Sequence, residues 1–114
     1  MIKKLAKNTS EMNIPKLPPL ERAMLIIEHE LKYAQKKHPV FPSNRSDAMS
    51  IIGEEYGEAC QINNDIRNCV IPYDDGISNY IQENVHIAVT AIRSVASEIE
   101  KMDKEEAKTK RKGK

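Results

Sequence analysis

The sequence predicts an all-α protein, a three-helix subunit that associates into an oligomeric helical bundle. Three observations carry this. Apolar residues recur at alternating steps of three and four in three separate segments. Prolines and an Asp-Asp-Gly run fall between those segments, where chain breaks belong. No stretch keeps the one-in-two alternation of a half-buried strand.

Residues 1–19 are polar and end in Pro15, Pro18 and Pro19, so they read as an extended arm. Pro19 suits a first helical turn, where its missing N–H has no partner to lose. Leu20, Met24, Ile27, Leu31 and Ala34 then trace one face of a helix over 20–38, which Pro39 and Pro42 stop. Ser43, Asn44 and Ser46 offer N-caps for a second helix over 45–67, with Met49, Ile52, Tyr56, Ala59, Ile62 and Ile66 on its apolar side. Asn68 to Gly76 holds Pro72 and the turn-like Asp74-Asp75-Gly76, and reads as a loop. A third helix over 76–102 carries Ile77, Ile81, Val85, Ala88, Val89, Ile92, Ala96 and Ile99. The expected organisation is an arm, a helical domain over 20–102, and a basic, disordered tail over 103–114.

A chain of 114 residues makes one domain, and with 4% aromatic residues it has little bulk for a core of its own. Short domains of this kind complete their core with another copy, so a homodimer or a tetramer built from dimers is expected. The net charge of +1 hides an asymmetry. Residues 101–114 hold seven Lys and Arg against three acids, which leaves −3 on residues 1–100. A solvated, fraying end explains such a tail better than a specific nucleic-acid surface. No apolar run approaches the roughly 18 residues of a membrane span. No apolar stretch follows Lys3, Lys4 and Lys7 as it would in a signal peptide, so a soluble, cytoplasmic protein without membrane contact is expected. Cys60 and Cys69 read as buried or half-buried thiols in a reducing compartment.

The second helix carries the chemistry. At about 100° per residue, Glu55 falls inside the apolar arc between Ile52 and Ile62, Glu58 at its edge, and Glu54 on the far side. A carboxylate in an apolar face costs several kcal/mol unless it is paired or bound to metal. Glu55 and Glu58, three apart, can share one ion, and carboxylate oxygens suit hard cations such as Mg²⁺ and Mn²⁺. The third helix offers another three-apart pair, Glu83 and His86, in a polar stripe with Thr90 and Arg93.

The run Glu54-Glu55-Tyr56-Gly57-Glu58, followed after 24 residues by Glu83-Asn84-Val85-His86, resembles the all-α NTP pyrophosphatases, the MazG-like proteins. Their pattern is E-E-x-x-E, a spacer, then E-x-x-D. The resemblance spans Leu20 to Ser97, includes Ala34-Gln35-Lys36-Lys37-His38-Pro39, and is nearest to the short members found in phage and prophage genomes. It implies hydrolysis of a nucleoside triphosphate to the monophosphate and pyrophosphate. Glu55, Glu58, Glu83 and His86 would be metal ligands, Glu54 a further ligand or the base for the attacking water, and Lys36, Lys37 and Arg93 the cations nearest the phosphates. His86 stands where the family has Asp, and imidazole favours Mn²⁺, Fe²⁺ or Zn²⁺ over Mg²⁺. Two other readings fit the same residues. One is a catalytically degenerate nucleotide- or metal-binding or structural protein. The other is a di-metal carboxylate bundle, which uses Glu-x-x-His at this spacing and needs four helices per site.

Overall fold

The computed structural model describes residues 16–112, and all regular structure among them is helical. Helix α1 is Pro19–Lys37, α2 is Arg45–Arg67 and α3 is Tyr73–Lys112. All but the last four residues of the expected arm lie outside the described residues. Pro19 takes the first helical position of α1, and the helix closes with the His38 N–H on the Ala34 carbonyl just before Pro39. Asn44 is the N-cap of α2, its Oδ1 accepting from the Ser46 and Asp47 N–H groups at 2.8 and 3.2 Å.

At the end of α2 the Val70 N–H reaches the Asp65 carbonyl and the Cys69 N–H the Ile66 carbonyl. This is a Schellman closure, and it sets Cys69 at φ 57°, a left-handed position that glycine usually fills. A side chain there costs about 1 kcal/mol or more. Cys69→Gly is therefore expected to raise the denaturant midpoint, by up to about 1 kcal/mol of stability, with an unchanged m-value. An unchanged or lower midpoint would show that the exposed Cys69 side chain contributes more than its backbone costs.

Helix α3 differs from expectation at both ends. It begins at Tyr73, directly after Pro72, so Asp74-Asp75-Gly76 is a first turn rather than a loop. Two acids there complement the positive end of the helix dipole. Gly76 is buried, and a Cβ on it would stand 2.5 Å from Ile66 Cγ1; the glycine lets the ends of α2 and α3 meet closely. At the other end, helix continues through Lys112 where a disordered tail from 103 was expected. Exposed pairs one turn apart support it: Lys104–Glu100, Lys108–Glu105 and Lys110–Glu106.

Helix α2 runs antiparallel to α3, since Ile66 sits by Gly76 and the Lys101 ammonium donates to the Ser43 carbonyl. Helix α1 crosses α3 with Ile26 against Val85 and Val89, flanked by Ile27, Leu31 and Ala34. Arg93 ties the α1–α2 loop down by donating to the His38 carbonyl and covering the Phe41 ring. The inward face of α2 is turned from the expected one. Ala48 and Ala59 are buried, whereas Met49 and Tyr56, both counted as core, stand exposed. The two small alanines bring α2 close to α3 and point Glu55 into the interface. Ile26, Ala48, Ala59, Val85 and Val89 are the buried apolar residues, and no described side chain is wholly enclosed. Ile81, Ile92 and Ile99 of the expected α3 face remain open.

Candidate metal centre

Close packing of α2 on α3 brings Glu55, Glu83 and His86 together. Each offers one ligand atom, and the three atoms lie within 4.8 Å of one another. His86 Nδ1 is 3.5 Å from Glu55 Oε2 and 3.8 Å from Glu83 Oε2. These separations are long for hydrogen bonds and close to the spacing of donors around one cation at about 2.0–2.2 Å. Glu83 is 8% exposed and Glu55 is half-buried. The Oε2 atoms of both are shut off from water and accept from no N–H or hydroxyl group; the hydrogen bonding that reaches Glu83 comes from the neighbouring Glu55 and Glu58 carboxyls. Orphaned carboxylate oxygens at this depth are costly, and a divalent cation would satisfy them.

The electrostatics agree. Burial pushes the Glu83 carboxyl from 4.5 up to about 8, aided by hydrogen bonding to the Glu55 and Glu58 carboxylates and by their negative charge. Raised titration is what converging carboxylates produce when no cation lies between them. His86 is the partner that the ion pairs within the described residues give Glu55 and Glu83. The donor set, two carboxylates and one imidazole, fits a divalent cation of the Mn²⁺ to Zn²⁺ range and tolerates Mg²⁺.

The other expected residues distribute unevenly. Glu58 is exposed but reaches Glu83, so it borders the cluster. Glu54 is exposed and outside the converging group. His86 is one of the three converging residues that could hold an ion. A cleft of about 550 Å³ opens onto the cluster, with Glu55 and His86 in its lining, and is walled by all three helices and the α1–α2 loop. Lys37 and Arg93 line it and Lys36 does not. Lys37 lies over the Tyr33 ring, 5.7 Å from its centroid, and Arg93 over Phe41 at 5.0 Å. A separate hollow of about 460 Å³ between Ile66 and Tyr73 is largely apolar and lies at the far end of α2.

Comparison with protein-family models, curated proteins and solved structures finds no match. The site must therefore be read from its own chemistry. One member escaped the sequence reading: Glu30, which is 5% exposed and lines the cleft. Its signal was present, because Glu30 lies three residues from Ile27 and four from Ile26 and Ala34, inside the apolar arc of α1. Cys60 is half-buried as expected, while Cys69 is exposed; both are free thiols. No helix among the described residues is long and apolar enough to cross a membrane.

Proposed function

We propose that the protein is a metal-dependent nucleoside triphosphate pyrophosphohydrolase of the MazG-like kind, acting as a homodimer or a dimer of dimers. The observation that carries this is the convergence of Glu55, Glu83 and His86 with two carboxylate oxygens buried and without an N–H or hydroxyl donor. Glu55, Glu83 and His86 would hold the ion, with Glu58 at its edge. Mg²⁺ or Mn²⁺ bound there would neutralise phosphate charge and activate water.

The rest follows from the chain's own groups. Two aromatic residues, Tyr33 and Phe41, line the cleft, each with a cation over its ring, and Glu55 and His86 of the cluster line it too, a mixture that suits a base joined to a polyphosphate. Lys37 and Arg93 supply positive charge along it. Attack on the α-phosphorus breaks its bond to the α–β bridging oxygen and releases pyrophosphate. Glu54, one turn before Glu58 on the solvent side, takes the proton of the attacking water and passes it to bulk. The thin core supports the oligomer, because the five buried apolar residues among those described leave much of each helix open.

A panel of NTPs and dNTPs with Mg²⁺ or Mn²⁺, assayed for pyrophosphate, is expected to give turnover on at least one substrate, with Mn²⁺ exceeding Mg²⁺. Metal and nucleotide binding without turnover would favour the degenerate reading, to which the exposure of Glu54 lends weight. Iron in the purified protein would favour the di-metal bundle.

A further inference from the structure

Ala88, Ile92, Val95, Ile99 and Met102 follow one another on α3 at steps of four, three, four and three. That spacing makes a single seam of the coiled-coil type, about 21 Å long. Neither α1 nor α2 covers it: Ile92 is 42% exposed, Val95 58%, Ile99 52% and Met102 69%. It faces away from the metal cluster, because Glu83 and His86 occupy the opposite side of the same helix, against α2. A continuous apolar stripe of this kind marks an interface, whereas scattered exposed residues do not.

Charge on α3 indicates the occupant and its direction. Residues 73–92 contain no Lys or Arg, and their acids are the exposed Asp74 and Asp75 at the start of the helix and Glu83, which is buried against α2 and takes no part in the pairing. Residues 107–112 contain Lys108, Lys110, Arg111 and Lys112 and no Asp or Glu. Each α3 thus carries opposite charges at its two ends, with the seam between. Two copies laid side by side in the same direction would set four cations against four. Laid head to tail, each basic end meets an acidic one. Like-charge juxtaposition costs enough to fix orientation in paired helices.

We infer that this seam binds the same seam of a second copy, with the two α3 helices antiparallel about an axis near Val95 and each basic end directed toward the partner's Asp74 and Asp75, about one turn beyond it. The inference rests on the oligomeric reading above and adds its surface and polarity. It also gives the helical tail beyond 102 a role, since that segment projects past α2 and would cover the partner.

A spin label at Arg111→Cys in a Cys60→Ser, Cys69→Ser background reads the geometry directly. At 1.5 Å per residue, antiparallel pairing about that axis separates the two labels by about 40–50 Å. A distance of about 10–20 Å would mean a dimer paired in parallel, which overturns this inference and leaves the oligomeric reading standing. A monomer by light scattering at micromolar concentration overturns both. Val95→Glu with Ile99→Glu is expected to give monomers, and a variant that stays dimeric would place the interface elsewhere. The spin-label distance decides even if that double variant fails to fold.

Discussion

Glu55→Gln is expected to abolish the stabilisation that Mn²⁺ or Mg²⁺ confers and to lower pyrophosphate release at least about a hundredfold, since even losing a group behind a ligand costs about ten- to a hundredfold. Glutamine keeps the size of the side chain and one acceptor oxygen, so packing between α2 and α3 is preserved. It removes the charge of a carboxylate whose Oε2 is buried, 3.5 Å from His86 Nδ1 and beside the Glu83 carboxyl. At metal about a hundred times its Kd, binding adds about 2.7 kcal/mol. For a chain of this size that corresponds to roughly 10 °C in melting temperature. The variant should show almost none of it while melting normally with chelator present. Two companions sharpen the result. His86→Asp should raise Mg²⁺ affinity relative to Mn²⁺, because it replaces imidazole with a harder oxygen donor. Glu54→Gln should leave the metal-dependent gain intact and lower turnover alone. A Glu55→Gln protein that still gains stability from metal would take the ion away from this cluster.

How the residues revealed themselves follows from the physics each obeys. Helix number and most boundaries were legible because prolines and apolar spacing act locally. The turn of α2 was not, since Met49 and Tyr56 look like core by hydropathy while the small Ala48 and Ala59 decide how near the helices come. Glu55 was legible because a carboxylate inside an apolar arc demands an explanation wherever the helix docks. Glu30 obeys the same rule and was equally readable. The length of α3 was hidden, because residues 103–112 lack an apolar period and owe their helix to pairs such as Lys108–Glu105. The Arg93 contact with the His38 carbonyl joins residues 55 positions apart and leaves no trace in the local pattern.

Without metal, stability should fall as pH rises from about 4.5 to about 8, and Glu83→Gln should remove that fall. The sign follows from where the proton sits. Glu83 titrates near 8 in the folded protein and near 4.5 in the unfolded chain, so between those values the native state holds the extra proton. Stability then decreases with pH, by at most about 1.4 kcal/mol per unit. The contribution is complete below 4.5 and gone above about 8, where Glu83 is ionised beside Glu55 and Glu58. Glutamine mimics the protonated carboxyl, so the variant should resemble the parent at pH 5 and exceed it at pH 8.5. Denaturant midpoints with chelator across this range measure it. Metal reverses the ranking, because a cation favours the ionised carboxyl: binding should expel a proton below pH 8 and strengthen as pH rises toward that value. Glu83→Gln would then be the more stable protein in chelator and the less stable one in saturating Mn²⁺. Parallel pH profiles for parent and variant would mean that Glu83 is ionised throughout and shares no proton with Glu55 and Glu58.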